Sequence, residues 1–106
     1  MSVIMTMRLQ GDPQKVESVA RDDADRVARI VEISKQHGVI AHRFYGSDDG
    51  QILVVDEWPD AESFQAFFKQ AEAEIGPVMQ QAGITSEPEI TFWRKLETGD
   101  EIGWSD

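Results

Sequence analysis

Two side chains in this sequence stand out as a pair that could move a proton: His42 in "VIAHRFY" and Asp56 in "QILVVDEW". An imidazole titrates near neutrality and is the commonest general acid or base, so a His among apolar neighbours is a candidate proton acceptor. Asp56 is the candidate that orients it. Around them, Met5, Met7, Phe44, Phe67 and Met79 have the apolar and polarizable surfaces that wall a pocket for an aromatic molecule. The same Met and Phe spacing also describes an ordinary core, and His42 also suits a structural role at the rim of a sheet.

Those residues need a scaffold to meet. Residues 3–10 alternate loosely and are rich in Val, Ile, Met and Thr, which predicts a first strand. Asp12 and Pro13 form a helix start, and Val16, Ala20, Val27 and Val31 recur near helical spacing up to a stop at Gly38. The segments 39–45 and 51–58 read as strands joined by the hairpin loop "GSDDG". Asp60 caps a second helix carrying Phe64, Phe67, Phe68, Ala71 and Ile75, which Gly76-Pro77 is expected to interrupt before a short helical piece to Gln81. "PEITFWRKLE" is the last strand. The plan is β-α-β-β-α-β, an α+β ferredoxin-like fold with one antiparallel four-stranded sheet under two helices. We expect a domain over 1–97 and an acidic C-terminal tail over 98–106.

Pairing Tyr45 with Gln51 sets His42 opposite Val54, Phe44 opposite Ile52 and Ile40 opposite Asp56. His42 and Asp56 then share a face, one residue pair apart. The other face carries Ala41, Arg43, Tyr45, Leu53, Val55 and Glu57. Both faces are largely apolar and helices cover only one, so a second copy stacked sheet to sheet is the expected cover. Elsewhere, Trp58 and Phe64 read as the joint between strand and helix. His37 reads as a C-terminal cap, and "RDDADR" as a solvated helix face with Arg21–Asp25 and Asp22–Arg26 pairs.

The chain has 106 residues, enough for one domain, and 41% of them are hydrophobic. Twenty acidic against ten basic side chains give a net charge of -10, a field that repels nucleic acid phosphates and anionic membrane surfaces. We expect neither as a partner. There is no Cys, hence no disulfide and no thiolate nucleophile or ligand. With two His and no glycine-rich phosphate loop, no bound metal, flavin or haem is expected. The start "MSVIMTM" has no basic signal-like region, which reads as a cytoplasmic protein.

In element order and length, residues 3–96 resemble the dimeric α/β-barrel superfamily, in particular its antibiotic-biosynthesis-monooxygenase-like branch. The sharpest local likeness is "VVDEWPDAESFQAFF": an apolar strand, Glu-Trp, then an Asp-x-x-x-Phe opening of the second helix. The superfamily also holds isomerases, cyclases, haem enzymes and sensor domains, so fold alone does not name an activity. In haem-degrading members a strand-one Asn, a helix-two Trp and a later His line the cleft. Met7, Phe67 and Pro77 stand at or near those places here, so the resemblance does not extend to haem degradation. Many monooxygenase-like members have a His at the place of Phe67.

The resemblance implies a homodimer that binds a small apolar or aromatic molecule. One reading is a cofactor-independent monooxygenase with His42 as proton acceptor and Asp56 as its partner. The alternative is a non-catalytic ligand-binding or stress-associated module of the same build.

Overall fold

The computed structural model describes residues 1–104; the last two residues of the acidic tail lie outside them. The order is β1 (Val3–Gln10), α1 (Pro13–Asp22), α2 (Ala24–Gln36), β2 (Ala41–Gly46), β3 (Gln51–Trp58), α3 (Ala61–Gln81) and β4 (Glu89–Trp93). The four strands form one antiparallel sheet in the order β2-β3-β1-β4, with the helices on one face. This is the ferredoxin-like α+β plan, with its first helix in two pieces.

Alternation within the strands decides which side is buried. Met5, Met7 and Leu9 of β1 and Ile52, Val54, Asp56 and Trp58 of β3 all point to the helices and are buried. Phe64, Phe67 and Ala71 of α3 close over them at helical spacing. The opposite face presents Ile4, Tyr45 and Trp93 as exposed apolar surface, with Leu53 and Val55 half-buried between them.

Three local expectations change. The first helix breaks at Asp23, which leaves helical geometry (φ -125, ψ 47), ends α1 by donating its N–H to Val19 and accepts the first bond of α2 from Val27. The break redirects the charges of "RDDADR". Arg26 pairs with Asp23 at 3.1 Å and with Glu74 of α3 at 3.8 Å, in place of the i, i+4 pairs within one helix. Pro77 does not interrupt α3, which runs on to Gln81. Its missing N–H orphans only the carbonyl of Ala73, which lies on the exposed side where water reaches it, and Gly76 has no Cβ for the ring to strike.

The third change is register. His42 pairs with Asp56, Phe44 with Val54 and Gly46 with Ile52, two residues from the expected pairing. The loop is shorter than "GSDDG" suggests because Gly46 still belongs to β2. Ser47 bonds Gln51 and Gly50 takes a left-handed φ of 83°, so Asp48, Asp49 and Gly50 form a three-residue loop of the bulged type. A Cβ on Gly46 would lie 2.7 Å from Pro13, so only glycine lets the start of α1 sit against this strand end. The even shift keeps every side chain on its expected face.

Asp12 and Asp60 cap their helices as their types demand, accepting from the N–H of Gln14 at 2.9 Å and of Ser63 at 2.7 Å. The Ser63 hydroxyl, then its backbone N–H, hold Asp60 below its ordinary carboxylate value. A lowered value means that the folded state prefers the ionised form, so this contribution is present above the unfolded value and fades as pH falls through the folded one. Asp60→Ala should therefore lower the melting temperature at neutral pH. The gap from the parent protein should narrow steadily as pH falls below 3.8, and paired thermal melts across that range check it.

Candidate functional site

The corrected register makes the chemistry local. β2 is an edge strand and β3 its neighbour, so His42 and Asp56 are directly opposed and both point to the helix side. His42 Nδ1 lies 2.6 Å from Asp56 Oδ1. The other carboxylate oxygen, Oδ2, accepts the indole N–H of Trp58 at 3.0 Å. Asp56 is 4% exposed and Trp58 fully buried, whereas the His42 side chain is 42% exposed. The arrangement is a carboxylate anchored in the core with an imidazole bonded to its outer side.

Each position follows from the strand. Asp56 and Trp58 are two residues apart, hence on one face, close enough for indole and carboxylate to meet. Trp58 is held from the helix side by Phe64 and Phe67, with ring centroids 5.7 and 5.2 Å away. Phe44 lies two residues beyond His42 on the same side and meets its ring edge-on at 5.3 Å. It is half exposed. The result is a ledge along the β2 edge: one basic nitrogen, one aromatic wall and open approach from solvent.

A carboxylate only accepts, so Nδ1 is the donor to Asp56, and in the neutral ring the lone pair lies on Nε2. Among the described residues no partner approaches Nε2. An imidazole oriented in this way at one nitrogen is arranged to take a proton at the other, the division of labour of a base and its orienting carboxylate.

The other anticipated wall residues are dispersed. Met5, Met7 and Phe67 are buried at 0, 4 and 7% exposure and pack in the core. Met79 is half-buried, twelve residues past Phe67 and roughly 18 Å further along α3 at about 1.5 Å per residue. Only Phe44 stands beside His42. Two shallow depressions, of about 230 and 240 Å³, flank Arg8 and Gln51 on other parts of the sheet and include none of these side chains. His37 does stop α2, and its Nε2 also bonds Gln70 of α3 at 2.7 Å. Sequence reading missed Trp58 as a donor. The signal was present: a buried indole N–H needs an acceptor, and Asp56 lies two residues away on its face.

Among the described residues no three His, Asp or Glu side chains converge on a point where a metal ion would sit, and no helix is long and apolar enough to cross a membrane.

No protein-family model matches this chain, and no curated protein matches it in sequence. Solved structures do match its fold. A monooxygenase from the gene ActVA-Orf6 of Streptomyces coelicolor, in complex with nanaomycin D, superposes with a TM-score of 0.68 at 16% identity, over 98% of this chain and 93% of that one. SnoaB, a cofactor-independent oxygenase from Streptomyces nogalater, gives 0.63 at 18% identity over 94% and 98%. A conserved protein from Methanosarcina mazei Go1 gives 0.65 at 20% identity over 91% and 94%. The chain has the ferredoxin-like fold of the antibiotic biosynthesis monooxygenases. At these identities the likeness is one of fold.

Stability should separate the two members of the pair. Asp56→Ala orphans the buried indole N–H of Trp58 and leaves a void, with an expected loss of about 1–3 kcal/mol. His42→Ala removes an exposed ring and lets water reach Oδ1, so its loss should stay near 1 kcal/mol. Denaturant unfolding of both variants checks the order.

Proposed function

We propose that this chain, built on the fold of the antibiotic biosynthesis monooxygenases, is a homodimeric protein that binds a small aromatic molecule at the β2 edge and promotes its reaction with oxygen without a cofactor. The observation that carries the proposal is the pair His42–Asp56: a 2.6 Å bond to a buried carboxylate, with Nε2 of His42 turned to an open ledge beside Phe44.

The chemistry asked of the protein is small. A phenol bound against Phe44 gives its hydroxyl proton to Nε2, and Asp56 stabilises the imidazolium so formed. The phenolate is electron-rich enough to be oxidised by molecular oxygen. One oxygen atom enters the ring and the other leaves as water, so a phenol and one O₂ give a quinone and one water. Met5, Met7 and Phe67 support this site from within the core, behind Trp58 and Asp56. Met79 would line the ligand only if the ligand extends along α3. SnoaB is a cofactor-independent oxygenase and the ActVA-Orf6 protein carries nanaomycin D, and both share this fold, which supports the direction of the reading.

The open face of the sheet supports the dimer. Ile4, Leu53, Val55, Tyr45 and Trp93 give it apolar surface, and its charges are balanced: Arg8 and Arg43 against Glu57 and Glu89. A two-fold interface sets the same patch against itself, and a patch with both signs of charge is complementary to its own copy.

A second reading, a binding module without chemistry, is favoured by one observation. The ledge is shallow within one protomer, since Met5, Met7 and Phe67 are sealed in the core. It differs from the first in predicting binding without oxygen uptake.

Light scattering at micromolar concentration should give twice the chain mass, with an interface of more than ~1,000 Å² in total; a monodisperse monomer would remove the sheet-to-sheet dimer. Oxygen consumption with a dihydroxynaphthalene, in buffer freed of metals by a chelator, tests the chemistry. His42→Ala should lower the rate by roughly 10²-fold or more while nanaomycin D still binds. Binding without oxygen uptake in the parent protein would leave the module reading.

A further inference from the structure

We infer that Trp58 is a positioning residue for the His42–Asp56 pair: its indole N–H holds the Asp56 carboxylate in the orientation that keeps the proton of His42 on Nδ1 and its lone pair on Nε2. This deepens the oxygenase reading and rests on it for any effect on turnover, but not for the effect on the His42 tautomer.

The reason lies in how loosely a carboxylate is otherwise held. The terminal torsion of an Asp side chain is broad and nearly two-fold, so one bond to His42 would not fix the plane of the group. A second donor on Oδ2 does. Trp58 supplies it at 3.0 Å from a fully buried ring that packs against Phe64 and Phe67. The two donors reach Asp56 from different elements, one from its own strand and one from the edge strand across the ladder. In a buried setting, where the bonds reinforce one another, loss of the inner donor changes what the outer one meets. Which imidazole nitrogen carries the proton is set by the bond that the other makes, so the state of His42 reports the aim of Asp56.

The test separates the N–H from the ring. Trp58 is replaced by β-(3-benzothienyl)alanine, which keeps both rings and carries sulfur in place of the N–H. The ring nitrogens of His42 are then followed by ¹⁵N NMR, with His37→Gln used to assign them. The parent protein should show the Nδ1–H tautomer. The variant should move toward a mixture of the two tautomers, and dihydroxynaphthalene turnover should fall roughly tenfold with KM changed by less than about twofold. Val19→Ala, a core change on α1, should lower the melting temperature and leave the His42 nitrogens at their parent positions. A parent-like pattern in the benzothienyl variant overturns the inference, whatever happens to stability.

If that variant does not fold, the same coupling is read from the other side. His42→Ala should move the Trp58 indole N–H resonance, because both groups bond one carboxylate; an unmoved resonance overturns the inference. A tautomer shift without turnover in the parent protein would leave the positioning role standing and remove the oxygenase reading. Turnover with an unmoved tautomer would do the reverse.

Discussion

A carboxylate buried in the middle of an apolar sheet face is the constraint on which the rest of this structure turns. Asp56 stands between Val54 and Trp58 on β3, with fully buried Met5 beside it on β1. A carboxylate in such a place persists only with its oxygens bonded. Both oxygens are met: the inner one by Trp58 and the outer one by His42. The need for the outer donor favours the pairing that sets His42 opposite Asp56 over its neighbours. The need for the inner donor turns the indole toward β3 rather than toward α3, and the rings of Phe64 and Phe67 pack against what remains of it.

This arrangement leaves the sheet edge open. The middle of the helix face is filled by the α3 aromatics and the β1 methionines. β2 is different, since all six of its residues are exposed. Its helix-side residues, His42 and Phe44, therefore combine an anchored imidazole with free access. Reactive groups are commonly carried at such boundaries, where one side of a residue is fixed by the core and the other faces solvent. The open face of the sheet is a separate feature, with apolar surface and balanced charge on the other side of the same strands.

The helices show how tertiary packing overrides local rules. Asp23 breaks a pattern that would otherwise run as one helix, and the turn brings Arg26 and Arg29 over Glu74 of α3, the latter at 3.2 Å. Pro77 loses its bond in α3, but the free carbonyl faces water while the flanking residues remain packed against the core. A helix continues through proline when the exposed side takes the loss.

Much of this was legible in the sequence because it depends on neighbours along the chain. Period-two alternation placed β1 and β3, aspartate followed by a helical pattern placed both caps, and parity alone put His42 and Asp56 on one face. The resemblance carried by "VVDEWPDAESFQAFF" pointed to the fold that the solved structures share. Tertiary structure decided the rest, for a physical reason in each case. The register depended on a three-residue loop and on the close fit of Gly46 to Pro13, which joins residues far apart in sequence. Met5, Met7 and Phe67 became core rather than wall because α3 closes directly over β1 and β3. The bond from Trp58 to Asp56 needed both groups buried together before an indole and a carboxylate two residues apart had reason to satisfy each other.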